Sequence, residues 1–141
     1  MPTSYNRVFV HLIWGTWDRL PLVSEQITVR LYAALAAKCR EHKCVPLVIG
    51  GVENHMHLLV ELYSTISVAD LVKELKGASS HLVTHEIAPG EFFKWQGSYG
   101  AVSVNPEELD MVVRYIRSQK QHHVENKLIL AWEKVEEDQP A

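Results

Sequence analysis

The sequence predicts an α+β domain in which an antiparallel sheet carries helices. Three observations lead there. Short runs rich in β-branched and aromatic residues alternate with helical apolar stripes in the order β-α-β-β-α-β-α. Two of the runs are separated only by Glu53–Asn54, and so short a connection implies an antiparallel hairpin. Capping residues stand in front of each helical stretch.

Each element follows in turn. Val8 to Trp14 reads as a first strand. Ser24 is placed to cap a helix from Glu25 to about His42, with Ile27, Leu31, Ala34 and Leu35 as its apolar stripe. Val45 to Val52 reads as a second strand ending at Gly50–Gly51, and His55 to Leu62 as a third. Ser67, with Asp70 three residues on, starts a helix that runs to about His85. Ala88-Pro89-Gly90 breaks it. Phe92 to Val104 holds one strand or two short ones. Asn105-Pro106-Glu107-Glu108 combines an Asn cap, Pro at the first helical position and acids in the first turn. The helix that follows reaches about His122. This order suits a ferredoxin-like (RRM-like) sheet with helices packed on it, plus one C-terminal helix.

At 141 residues the chain is one domain's worth. Residues 1–124 are expected to form it, with 125–141 as an acidic C-terminal tail. Hydrophobic residues make up 47% and charged residues 22%. Such a composition can bury a core, which excludes disorder along the whole chain. No apolar run approaches the roughly 18 residues a membrane span needs. The first twenty residues carry Arg7, His11, Asp18 and Arg19 and no apolar leader, so an intracellular, cytoplasmic location is expected. Cys39 and Cys44 are too few for a disulfide framework and lack the spacing of a zinc site; they read as buried free thiols.

The net charge is −3. It lies entirely in the tail, where Glu125, Glu133, Glu136, Glu137 and Asp138 face Lys127 and Lys134. The body is neutral. Nucleic-acid affinity normally rests on surplus Lys and Arg, so a local patch or a bound cation would have to supply it.

Four constellations carry candidate chemistry. His55-Met56-His57 lies on the third strand, so His55 and His57 share one face while Met56, Leu58 and Val60 take the other. Two imidazoles about 7 Å apart on one face can share a metal ion if a third ligand arrives from elsewhere. The plain alternative is a pair of exposed or hydrogen-bonded strand histidines. Tyr115 and Gln119 stand four apart on the last helix and share a face with Met111 and His122. Tyr115 is then either a core aromatic beside Met111 and Val112 or a nucleophile, with Gln119 as a neutral oxygen ligand or orienting group. Arg114, Arg117 and Lys120 make a basic arc on roughly the opposite side, either a solvated face or a phosphate contact. Lys73 and Lys76, followed by Gly77-Ala78-Ser79-Ser80, could grip a nucleic-acid backbone. Trp95-Gln96-Gly97-Ser98-Tyr99 could stack on bases or pack at a strand edge.

Together these segments resemble the single-tyrosine HUH transposases of the insertion-sequence-200/605 group and their domesticated relatives that act on repeated extragenic palindromes. The resemblance spans residues 5–123. It rests on His11-Leu12-Ile13-Trp14-Gly15-Thr16 with Arg19, on Asn54-His55-Met56-His57-Leu58-Leu59-Val60, on Leu75-Lys76-Gly77-Ala78-Ser79-Ser80, on Trp95-Gln96, and on Tyr115-Ile116-Arg117-Ser118-Gln119. The family usually has Asn where this chain has Ser118, and many members have Asp where it has Asn54.

The resemblance implies a DNA transposase. His55, His57 and Gln119 would bind one Mg²⁺ or Mn²⁺, and Tyr115 would attack the scissile phosphate of single-stranded DNA. A 5′-phosphotyrosine would form, and another 3′-OH would rejoin the strands. It also implies recognition of a DNA hairpin, for which Lys73, Lys76, Ser79, Trp95, Arg114 and Arg117 are candidates. It implies a homodimer in which the tyrosine helix of one subunit completes the histidine pair of the other. The residues agree with this chemistry. Histidine plus amide oxygen leaves the ion its full charge for the phosphate. A tyrosine with pKa near 10 needs a nearby cation to become nucleophilic. The alternative is a domesticated relative that binds hairpin DNA without cleaving it. A small-substrate phosphoesterase of the histidine-triad kind fits less well, because Leu59 stands where a third alternating histidine would be.

Overall fold

Four strands form one antiparallel sheet in the computed structural model, which describes residues 4–119. The elements are β1 (Val8–Gly15), α1 (Glu25–Glu41), β2 (Val45–Val52), β3 (His55–Leu62), α2 (Val68–Leu82), β4 (Gly100–Val104) and α3 (Leu109–Arg117). The sheet order is β2-β3-β1-β4, and every neighbouring pair is antiparallel. This is the ferredoxin-like arrangement that the sequence predicts, with the β2–β3 hairpin turning at Glu53–Asn54.

Strand alternation divides the sheet into two faces. On one, Val10, Leu12 and Trp14 of β1 and Met56, Leu58 and Val60 of β3 form the main core with Ile27, Leu31, Leu35 and Cys39 of α1 and Leu71, Val72 and Leu75 of α2. Phe93 and Trp95 close this core beside Trp14, with the Trp95 ring edge-on at 5.9 Å. On the other face, Phe9, Val48, Leu59 and Val104 form a smaller cluster with Val112, Tyr115 and Ile116 of α3. The C-terminal helix thus covers the face opposite α1 and α2.

Gly50 makes that docking close. A Cβ there would lie 2.9 Å from Ile116 Cγ2 and nearer still to the Ile116 carbonyl oxygen. The β2 backbone and α3 are in contact, and no side chain fits between them.

Local signals behaved unequally. The Ser67 hydroxyl accepts from Asp70 N at 3.0 Å, the expected cap. Asn105 accepts from Glu107 N with Pro106 behind it, but the helix opens as a 3₁₀ turn, Pro106–Glu108, before α3 begins. Ser24 makes no side-chain cap; its carbonyl instead accepts from Thr28 Oγ1 at 2.9 Å. After Leu82 the second helix widens into a π turn, Val83–Ile87. The stretch before β4 contributes no second full strand, only a bridge between Thr16 and Trp95. Cys39 and Cys44 are buried free thiols, as expected. The expected helix end at His122, and the 125–141 tail, lie outside the described residues. Among the described residues no helix is long and apolar enough to cross a membrane.

Candidate functional site

The site lies on the sheet face that α3 covers. Odd-numbered residues of β1 and β3 point there, so the face presents His11, His55 and His57 beside the apolar Phe9 and Leu59. Among the described residues the buried polar side chains are His11, Thr16, His55, His57, Ser79, Gln96 and Gln119. None is a carboxylate or an ammonium. Most sit on or beside this face. Burying polar groups is unfavourable unless they are hydrogen-bonded, so their collection here marks a built site.

Both strand histidines are held through Nδ1. Asn54 Oδ1 lies 2.8 Å from His55 Nδ1. An amide oxygen can only accept, so that nitrogen carries the proton and the lone pair of His55 is on Nε2. His57 Nδ1 lies 2.8 Å from His11 Nε2 across the β1–β3 ladder. Ile13 stands opposite His57 and Leu59 opposite His11, which makes the two imidazoles diagonal neighbours. The His55 and His57 rings are 5.2 Å apart and close to perpendicular.

Tyr115 comes from above. Its ring is 6.1 Å from that of His57, edge-on, and its residue is only 4% exposed. The helical repeat places Val112 and Ile116 beside it against the sheet. Gln119 is 1% exposed, and its amide nitrogen donates to the Tyr115 carbonyl at 3.4 Å. His55, His57 and Tyr115 thus gather at one place within a single chain, with Gln119 buried one helical turn beyond Tyr115.

Gln96 closes the strand end of the site. Its side-chain oxygen accepts from Gly15 N, and its own backbone N donates to Gly15 O at 3.0 Å. Gly15 pairs with His55, and a Cβ on Gly15 would lie 2.6 Å from Gln96 Oε1. A side chain at position 15 would therefore displace the Gln96 amide from this hydrogen bond. His11, Asn54 and Gln96 were not singled out from the sequence as site residues. The parity of His11 with Phe9 in β1 was the one signal that could have pointed to the histidine face.

Several expected DNA contacts are placed elsewhere. Trp95 is buried, and its indole N–H donates to Ser79 Oγ at 2.9 Å. Ser79 is buried too and also donates to the Leu75 carbonyl. Neither can meet a base or a phosphate from these positions. The Lys76 ammonium donates to the carbonyls of Gln96 and Ser98, at 2.8 Å each, and ties the 96–98 segment to α2. Lys73 is exposed and lines a hollow with Lys43, where Glu41, Asp70 and Glu74 offset the two ammonium charges. Arg114 and Arg117 are exposed, and Arg117 flanks a groove along Tyr32, Gly50 and Gly51. Met111, in the first turn of α3, is 46% exposed rather than packed beside Tyr115. Lys120 and His122 lie outside the described residues.

Comparison with known proteins gives the family. The family described as "Transposase IS200 like" matches residues 4–119. The chain belongs to the IS200-like transposase family. The match covers every element that builds the site in this transposase-family chain. Two solved structures share the fold. One is a candidate transposase of Deinococcus radiodurans R1, 22% identical, with a TM-score of 0.63 over 84% of this chain and 95% of that one. The other is a REP-associated tyrosine transposase bound to a REP hairpin, 16% identical, with a TM-score of 0.63 over 87% of this chain and 72% of that one. No curated protein matches the sequence.

Proposed function

We propose that this family member cleaves and rejoins single-stranded DNA at hairpin-marked ends, with Tyr115 as the nucleophile. The observation that carries the reading is the meeting of Tyr115 with the His55–His57 pair on one buried face, with Gln119 buried one turn along the same helix. The Tyr115 hydroxyl oxygen attacks the scissile phosphorus, the bond to the 3′ oxygen breaks, and the phenolic proton ends on the departing 3′-OH. A 5′-phosphotyrosine results. Attack by another 3′-OH reverses the step and returns the proton to Tyr115. One phosphoester replaces another each time, so no external energy source is needed.

The donor set fits a divalent cation. Both histidines turn Nδ1 to a protein partner, so Nε2 is the nitrogen each would offer, and Gln119 would add a neutral amide oxygen. Bound there, Mg²⁺ or Mn²⁺ would supply positive charge to the phosphate and to the forming phenolate. Arg114 and Arg117 are exposed cations on the tyrosine helix that could meet backbone phosphates, while Lys76, Ser79 and Trp95 support the segment that carries Gln96.

The face is closed in the single chain. Access for a phosphate requires α3 to shift on this face; in a homodimer in which α3 crosses to the partner's sheet, the tyrosine helix of one subunit would complete the histidine pair of the other while keeping its cover. The solved REP-hairpin complex supports hairpin DNA as the ligand. The closed face also favours a second reading, a relative that binds the hairpin and does not cut.

The test is a labelled single strand carrying the hairpin and flank from beside the gene, incubated with Mn²⁺ and run on a denaturing gel. A covalent band lost in Tyr115→Phe and with EDTA is expected. A native-gel complex with no covalent band would refute cleavage and establish the binding reading.

A further inference from the structure

We propose that His11 is a positioning residue that holds His57 in the tautomer able to bind a cation. The proposal rests on the reading that His55 and His57 are the metal ligands. His11 Nε2 and His57 Nδ1 are 2.8 Å apart, and both residues are wholly buried. One proton lies between these nitrogens. If His57 owns it, His57 has its lone pair on Nε2, and His11 is neutral with its proton on Nδ1. If His11 owns it, His57 Nδ1 is the acceptor and its Nε2 is protonated. In that second state neither nitrogen of His57 can take a metal ion.

The neighbouring histidine indicates which state the site is built for. Asn54 can only accept from His55 Nδ1, so His55 keeps its lone pair on Nε2. His57 presents the same nitrogen to His11 that His55 presents to Asn54. On this proposal His11, accepting at Nε2, does for one imidazole what Asn54 does for the other. The ring centroids of His11 and His57 lie 5.0 Å apart and are tilted by 35°, so the contact is made edge to edge through the nitrogens and not by stacking. Its place on β1 gives His11 a rigid support. Hydrogen bonds from an outer residue to a metal-binding histidine fix its orientation, and their loss typically weakens metal affinity by about 10- to 100-fold.

Two measurements test this on the full chain. The first is the long-range ¹H–¹⁵N spectrum of the metal-free protein, with His57 assigned through its own substitution. His57 is expected as the Nδ1–H tautomer and His11 as an acceptor at Nε2. A His57 found as Nε2–H would overturn the proposal. The second is Mn²⁺ affinity by titration calorimetry for wild type, His11→Phe and His11→Gln. His11→Phe should bind about 10- to 100-fold more weakly. His11→Gln, which keeps an acceptor, should recover most of that loss even if both variants melt at the same lowered temperature. Equal affinities for His11→Phe and wild type would overturn the proposal. Should His11→Phe fail to fold, the wild-type spectrum and His11→Gln still decide the matter. Absence of Mn²⁺ binding by the wild type would refute the metal reading itself, while the metal-free tautomer result would still judge His11.

Discussion

Replacing Gly50 by alanine isolates the contact that seats Tyr115. The new Cβ would stand 2.9 Å from Ile116 Cγ2 and 3.1 Å from the Ile116 carbonyl carbon. Ordinary contact begins near 3.4 Å, and part of the obstacle is backbone, which cannot rotate away. The helix must therefore lift or β2 must bend. Overpacking of this kind costs about 1–3 kcal/mol. A less flexible unfolded chain returns about 0.4–1 kcal/mol, because Gly50 does not occupy the left-handed region and alanine can adopt its backbone conformation. The net expectation is a loss of about 1–2 kcal/mol. Gly77 is the internal control. It lies within α2 with no atom within 4 Å of its would-be Cβ, so Gly77→Ala should stabilise by about 0.5–1 kcal/mol.

Urea midpoints read both changes, and amide exchange in residues 112–117 reads the helix directly. Gly50→Ala should speed exchange in α3 more than in β1 or β3, since undocking is local. Two results would refute the reasoning: a Gly50→Ala variant as stable as the parent, or loss spread evenly over sheet and helix.

Three further outcomes follow from named contacts. Lys76→Met removes two charged hydrogen bonds to the Gln96 and Ser98 carbonyls. It should cost about 1–3 kcal/mol in thermal unfolding while leaving the salt slope of DNA binding unchanged, whereas Arg117→Gln should lower that slope by about 1. Burial and the nearby Cys44 push the Cys39 thiol from 9.0 up to about 12, against a smaller lowering by Arg40. Burial also pushes Tyr32 from 10.0 up to about 12. Both groups stay protonated in the folded state after the unfolded chain has begun to lose their protons. Stability should thus be full below pH 9 and fall between pH 9 and pH 12, as a denaturation series would show. At pH 8 iodoacetamide should leave Cys39 unmodified until denaturant is added; rapid labelling of the native protein would contradict its burial.

The parts of the fold read correctly from the sequence are those governed by local periodicity. The two-residue repeat of His55-Met56-His57 sends both histidines to one face, and the Ser67 and Asn105 caps need only their next few residues. What escaped the sequence depends on distant partners. His11 is 46 positions from His57 and Gly15 is 81 from Gln96, so neither pairing leaves a local pattern. An apolar stripe on α3 says that one side is buried, not which sheet face buries it. That choice depends on Gly50, whose missing side chain reads equally well as the end of a strand. The sequence leaves Trp95 and Lys76 open between a nucleic-acid contact and a packing role for a related reason. An indole and an ammonium look like nucleic-acid contacts in a string of letters, while the structure uses them to join α2 to the segment before β4.

The packing of α3 bears on how the proposed reaction would start. The cluster that seats Tyr115 is also one of the two hydrophobic cores among the described residues, with Val112 and Ile116 against Phe9, Val48, Leu59 and Val104. Exposing Val112, Tyr115 and Ile116 would cost roughly 1.5–3 kcal/mol for each side chain. Their sum rivals the 5–15 kcal/mol of an ordinary domain's whole stability. Simple undocking to admit a phosphate is therefore a rare event. Exchange of α3 between two copies is different, since each helix leaves one sheet and meets an identical one, and the burial is conserved. The link from Asn105 to Glu108, short and free of buried residues, is the segment that would have to redirect the chain. Conserved burial would let two copies trade helices at little packing cost, but each face would then be covered as before, so a phosphate would still need the helix to shift on it. A cross-mixed sample of Tyr115→Phe and His57→Ala subunits would show such a trade by recovering cleavage that neither variant has alone.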